Sequence, residues 1–230
     1  MRKARVLPYG WIVDSTRRGY FVATYESGVD FIRRMAGLYR ADAWTRARAY
    51  VEVWAESRSI AAVIEADCRE LGVSLYPSAG FASLTLPYEA AEQIGSKVED
   101  TGKTIEIIYV GDDDPAGVLI DPDIEKKIRD HLEVDFDTSN PVTLHRLAIT
   151  LEQIEEYGLP TKPRKEGEKR AKHIQFTVEA EAMPVSILRD LLRDKVESFM
   201  PREALAVAKA AEESERAGLI ALAEAWERRR

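Results

Sequence analysis

The sequence predicts an α/β fold, a parallel sheet flanked by helices with a helical C-terminal extension, and three observations carry that expectation. Between residues 50 and 150, short β-branched or aromatic runs alternate with segments of helical apolar periodicity. One of the runs, TIEIIYV, is almost continuously apolar, as expected for a strand covered on both faces. The connections are short, which for alternating strands and helices means parallel strands joined by right-handed crossovers.

Taken in order, residues 1–49 read as an irregular lead-in followed by a helix over about residues 27–39, where Val29, Ile32, Met35, Ala36 and Tyr39 fall at helical spacing. From Tyr50 the run YVEVWA reads as a strand. Ser57 or Ser59 caps the helix that follows, and Gly72 ends it after Leu71. A short strand, VSLYP, precedes a helix over 84–98 that Pro87 begins or interrupts. After TIEIIYV come a helix over 124–132 and a strand over 142–148. Beyond these, LEQIEEYG is a short helix stopped by Gly158 and Pro160, residues 161–173 read as a solvated loop, and HIQFTVEA reads as extended. Helices over 185–198 and 202–229 close the chain around Pro201. The expected organisation is a lead-in (1–49), an α/β domain (50–150) and a C-terminal extension (151–230).

At 230 residues the chain is long enough for one sizeable core. No run approaches the roughly 18–20 apolar residues of a membrane span, and MRKARVLPYGW has no apolar signal region, so a cytoplasmic protein without membrane association is expected. Cys68 is the single cysteine, which excludes an internal disulfide and a cysteine-rich zinc site. On its amphipathic helix it reads as a buried thiol. The net charge of −7 does not favour a polyanion partner. Its distribution offsets this, because residues 162–173 hold six basic residues against two acidic ones, and Arg17, Arg18, Arg33, Arg34, Arg40, Arg46 and Arg48 cluster near the N-terminus.

In open parallel sheets ligands bind beyond the carboxyl ends of the strands, and two strands here end in acid. One runs into Glu56, the other into Gly111-Asp112-Asp113-Asp114-Pro115-Ala116-Gly117. Three adjacent carboxylates repel one another and call for a cation or open solvent. Period-two geometry sends Asp112 and Asp114 to one side and Asp113 to the other. With Glu56 they make a hard oxygen set suited to Mg²⁺, although the same run has the composition of a surface turn. Glu52 shares the Glu56 face by period two and reads as a strand glutamate paired at an edge. His131, His145 and His173 form no triad or zinc spacing, and none is assigned as a general base.

Glu56 at a strand end, Gly80-Phe81-Ala82-Ser83 after a second strand and Asp112-x-Asp114-Pro-x-Gly after a third together resemble the Toprim domain of topoisomerases, primases and related nucleases. The branch it is most similar to is that of the topoisomerase VI A subunit, the meiotic double-strand-break proteins and their phage-encoded relatives. RLAITLEQIEEYGLP (146–160), the basic linker and VEAEAMPVSILRDLLRD extend the resemblance, which covers about residues 50–195. It implies a Toprim (Rossmann-like) fold and a Mg²⁺ site, with Mn²⁺ as a substitute, in which Glu56, Asp112 and Asp114 are both metal ligands and catalytic residues, with Asp113, Glu179 and Glu181 as accessory acids. It implies DNA as partner, held by Arg58, Lys162, Arg164, Lys165, Lys169, Arg170 and Lys172, and a bacterial, archaeal or phage setting. The chain departs from the pattern in three places, one of them Glu181, which stands where relatives have Asp. Ser57 and Arg58 follow Glu56 where relatives have Lys. About fifty residues precede the sheet, too few for the winged helix that carries the family's nucleophilic tyrosine, and none of Tyr9, Tyr20, Tyr25, Tyr39 and Tyr50 matches it. No tyrosine nucleophile is assigned, and a missing or separately encoded N-terminal portion is expected. Two functions follow as expectations: Mg²⁺-dependent phosphoryl transfer on DNA, as a nuclease or by topoisomerase-VI-A-like strand cleavage, or a non-catalytic DNA-binding or assembly subunit. Its companion would be a second copy of the chain or a separate DNA-binding or tyrosine-bearing subunit.

Overall fold

The run AYVEVWA is buried on both faces because each face meets a helical layer. In the computed structural model, which describes residues 22–77, 85–99, 101–114, 117–164 and 176–229, it forms β1 (Ala49–Ala55), preceded by α1 (Gly28–Ala36). Then follow α2 (Arg58–Leu71), β2 (Ser74–Pro77), α3 (Thr85–Val98), β3 (Thr104–Val110), α4 (Gly117–Asp135), β4 (Val142–Ala148) and α5 (Leu151–Tyr157). The chain continues through β5 (Lys162–Pro163), β6 (Phe176–Thr177), a 3₁₀ turn (Ala180–Ala182), α6 (Val185–Glu197) and α7 (Ala204–Glu227). The fold is α/β, with a four-stranded, all-parallel sheet in the order β2-β1-β3-β4.

The chain divides into two compact units, Arg40–Ala211 and Met1–Tyr39 with Glu212–Arg230. In the larger unit the sheet separates two apolar clusters. Val51, Val53, Ala55, Ile108 and Val110 pack with Ile60, Ile64 and Leu71 of α2 and Leu188, Leu192 and Val196 of α6. Trp54, Ile105, Ile107 and Tyr109 pack with Ala90, Ile94 and Val98 of α3 and Ile124, Ile128 and Leu132 of α4. In the smaller unit, Ser27 caps α1 by accepting the Asp30 N–H (3.1 Å). Arg33 pairs with Glu227, and Arg216 donates to the Tyr39 carbonyl (2.7 Å).

Ser57 caps α2 by accepting the Ile60 N–H, and Gly72 closes it with a left-handed φ of 69°. Cys68 is buried, and burial pushes its thiol up to about 12. Helix α4 is longer than its periodicity predicts because it begins at Gly117 and tolerates Pro122, whose missing N–H forfeits one intrahelical bond. The stretch expected as a solvated loop begins instead with the short strand β5, which pairs antiparallel with β6 in the run HIQFTVEA expected to be extended. The expectations for Gly80-Phe81-Ala82-Ser83, Pro115, Ala116, Lys165, Lys169, Arg170, Lys172 and His173, and for Tyr9, Tyr20, Arg17 and Arg18, fall outside the described residues. Among the described residues, no helix is long and apolar enough to cross a membrane.

Glu52 is not at a sheet edge. It sits on an inner strand, fully buried, where its carboxylate accepts the Tyr50 hydroxyl (2.8 Å), the Trp54 indole N–H (3.1 Å) and a bond from Tyr76. Burial outweighs these donors and raises its carboxyl to about 7. A folded-state value above the unfolded one means that this group's stabilisation is complete below the unfolded value of 4.5 and is lost as pH rises through 7. The loss is about 3 kcal/mol at 1.36 kcal/mol per unit. Urea unfolding of Glu52→Gln from pH 4.5 to 8 is expected to lack this downward slope, and an unchanged slope would place the titration elsewhere.

Candidate functional site

The carboxyl ends of β1 and β3 lie side by side because the strands pair in register from Ala49 with Thr104 to Ala55 with Val110. The pairing continues one residue further, where the Glu56 N–H donates to the Val110 carbonyl (2.8 Å). Glu56 therefore meets the turn that leaves β3. Its Oε2 accepts the Asp112 N–H (2.9 Å) and the Tyr109 hydroxyl (3.2 Å). Tyr109 is fully buried.

The C-terminal extension supplies the other wall. Asp113 and Val178 exchange backbone hydrogen bonds in both directions (2.9 and 3.0 Å). This buries Asp113 and brings the 3₁₀ turn against the loop, so that Asp112 Oδ1 accepts the Ala180 N–H (2.8 Å). The same docking carries Glu179 and Glu181 to the acidic loop. Glu181 Oε1 accepts the hydroxyls of Ser57 (2.7 Å) and Ser59, so the serine that caps α2 also holds an acid from a segment over a hundred residues away.

The charges are felt in the titration of the group. Burial raises the Glu56 carboxyl, and the charges of Asp112 and Asp114 add to the shift. Burial also raises Asp112, followed by Asp114, Glu181 and Glu179, against the opposing Ala180 N–H. Burial works to raise Glu181 too, but the hydroxyls of Ser59 and Ser57 prevail and its carboxyl is lowered. Raised folded-state values mean that Glu56 and Asp112 cost stability as pH climbs through them. Five carboxylates are thus drawn together by the fold.

Among the described residues, no group of three or more His, Cys, Asp or Glu side chains is spaced to hold a metal ion. The donor set is nevertheless hard oxygen, and each of Glu56 and Asp112 uses only one carboxylate oxygen in the hydrogen bonds above. Hard oxygen donors of this kind are those a Mg²⁺-type ion takes singly or in pairs while keeping several waters.

The expected basic contacts divide. Arg58 is exposed at the start of α2, beside Glu56 in sequence. Lys162 is committed to Glu179 (2.7 Å), and Arg164 is half-buried. The site has two contributors that sequence patterning does not single out, Tyr109 and Arg146. They are register partners on β3 and β4, and the guanidinium lies 5.4 Å from the phenol ring centroid. Arg146 Nη1 donates to the carbonyls of Asp112 (3.1 Å), Gly111 (3.4 Å) and Ile149 (3.4 Å). Only the strand register reveals them.

Gly111 is fixed by contact rather than by backbone conformation. A Cβ there would lie 2.5 Å from Tyr109 Cε1 and 2.6 Å from Glu56 Oε2. The tyrosine is packed in the core and cannot yield, so Gly111→Ala is expected to displace Glu56 and cost about 1–3 kcal/mol. Urea unfolding tests this, and an unchanged midpoint would mean that the loop accommodates the methyl group.

No protein-family model, curated protein or solved structure matches the chain.

Proposed function

We propose that the chain is a Mg²⁺-dependent phosphoryl-transfer enzyme acting on DNA through a Toprim-type site, either as a nuclease or by strand cleavage like that of the topoisomerase VI A subunit, in the cytoplasm of a microbial or phage-infected cell. One observation carries this function: Glu56 and Asp112 meet at the carboxyl ends of two adjacent parallel strands, with the Asp114 charge felt by both, and burial and mutual repulsion raise the two carboxyls. The D-x-D-P-x-G pattern at residues 112–117 supports the same site.

In this mechanism Glu56 and Asp112 would hold the ion through their carboxylate oxygens, with Asp114 adding to the same negative field. When bound there, Mg²⁺ or Mn²⁺ would neutralise charge developing on the phosphoryl oxygens. Glu181, anchored by Ser57 and Ser59, and Glu179 keep the acidic wall in place. Arg58 contacts the DNA backbone and fixes position without reading sequence. Tyr109 is buried against Glu56 and is not placed to attack, so the nucleophile is water or a tyrosine supplied by a partner chain.

Plasmid nicking tests this function: relaxation of supercoiled DNA with Mg²⁺ or Mn²⁺, suppressed by EDTA, is the expected result. DNA binding that persists in EDTA without cleavage would overturn it in favour of a non-catalytic DNA-binding or assembly subunit.

A further inference from the structure

We infer that Tyr109 and Arg146 are positioning residues, a buried tyrosine and a half-buried arginine that set the Glu56 carboxylate and the Asp112 backbone in place before any ligand arrives. This goes beyond the proposed function but rests on its assignment of Glu56 and Asp112 as metal-binding carboxylates.

The geometry is a closed circuit. Tyr109 lies on the inner strand β3 with no exposed surface, and its hydroxyl is 3.2 Å from Glu56 Oε2. That oxygen also receives the Asp112 N–H at 2.9 Å. The Asp112 carbonyl, at the other end of the same residue, receives Arg146 Nη1 at 3.1 Å. Arg146 closes the circuit over the Tyr109 ring, 5.4 Å from its centroid. Backbone bonds pin the turn between them: the Gly111 N–H donates to the Ala148 carbonyl and the Ile149 N–H to the Gly111 carbonyl, both at 2.8 Å.

Each bond has a directional consequence. The two donors on Oε2 leave Oε1 as the oxygen that Glu56 offers outward. Arg146 fixes the orientation of the peptide that follows Asp112, and with it the direction of approach of Asp114. A simple core role for Tyr109 needs the ring but not the hydroxyl, and a simple surface role for Arg146 needs neither the carbonyls nor the ring. Hydrogen bonds that orient a ligating carboxylate typically govern metal affinity by 10–100-fold.

The experiment is Mn²⁺ titration followed by electron paramagnetic resonance on the full chain, for wild type, Tyr109→Phe, Arg146→Lys and Asp112→Asn, with thermal unfolding of each in EDTA. Tyr109→Phe keeps the ring, so its unfolding midpoint in EDTA is expected to stay near wild type while its Mn²⁺ affinity falls roughly 10-fold. Arg146→Lys keeps the charge but loses the planar fork, and a comparable fall is expected. With Mg²⁺ and plasmid DNA, Tyr109→Phe is expected to lower kcat and leave KM for DNA unchanged. If Tyr109→Phe binds Mn²⁺ as wild type does while Asp112→Asn does not, the positioning pair is overturned and the metal site stands. A fall in affinity matched by a fall in the EDTA midpoint also overturns it, in favour of a packing role. If wild type itself binds no Mn²⁺, the metal site fails and the positioning role fails with it.

Discussion

Replacing Asp112 and Asp114 with Asn is expected to reduce Mg²⁺-dependent nicking of plasmid DNA by at least roughly 10²–10³-fold, the scale of losing a group that stabilises transition-state charge. Asn keeps the size and the carbonyl acceptor, so the Asp112 side-chain bond from the Ala180 N–H survives the change. What disappears is negative charge. Because burial and neighbouring acids raise the Asp112 carboxyl, its ionised form is disfavoured in the folded protein. The Asp112→Asn single variant is therefore expected to unfold in EDTA at a midpoint no lower than wild type, while the activity of the double variant is lost. That opposition between stability and function separates a catalytic role from a scaffolding one. A variant that nicks as fast as wild type would remove both aspartates from the chemistry.

The second large effect concerns what anchors α6 to α2. Asp67 has a fully buried side chain and accepts Arg189 Nε (2.6 Å) and Arg193 Nε (2.7 Å), with Arg193 also reaching Glu70 and Lys209 pairing with Glu70 (2.7 Å). The Arg189 hydrogen bond leads in lowering the Asp67 carboxyl. Replacing both arginines with Met strands a buried carboxylate and is expected to destabilise by about 3–5 kcal/mol, read from urea unfolding at pH 7. Adding Asp67→Leu removes the stranded charge and is expected to recover most of the loss. The lowered value fixes the sign with pH: the contribution is present above the ordinary carboxylate range and is lost as pH falls through the folded-state value. Equal stability of the double and triple variants would show that Asp67 is not the group left uncompensated.

These two sites show what was legible in the amino-acid order. TIEIIYV and the Ser57-to-Gly72 helix could be placed because apolar periodicity and caps are local signals, and the parallel sheet followed from their alternation. Glu56 and the 112–114 run stood out because they place acid beyond the carboxyl ends of two parallel strands, where such sheets bind ligands. Glu52 was misplaced because period two reports which face a residue occupies, not whether its strand is inner or edge. Tyr109 stood unmarked in an apolar strand and Arg146 only as the first residue of the 146–160 run, because the two meet only through the β3–β4 register; Asp67 stood unmarked because its partners lie over a hundred residues away on α6. The extended run HIQFTVEA was legible, but β5 and its pairing with β6 were not, because a two-residue strand carries no periodicity. Long-range pairing, rather than local propensity, is what the chain concealed.

The most direct measurement on the acidic site is anomalous diffraction from crystals soaked in Mn²⁺. A peak between the carboxylates of Glu56 and Asp114, absent in Asp112→Asn crystals, is the result expected of a metal-dependent phosphoryl-transfer centre. Crystals in which the Glu56–Asp112 contact is intact and no peak appears at saturating Mn²⁺ would contradict it.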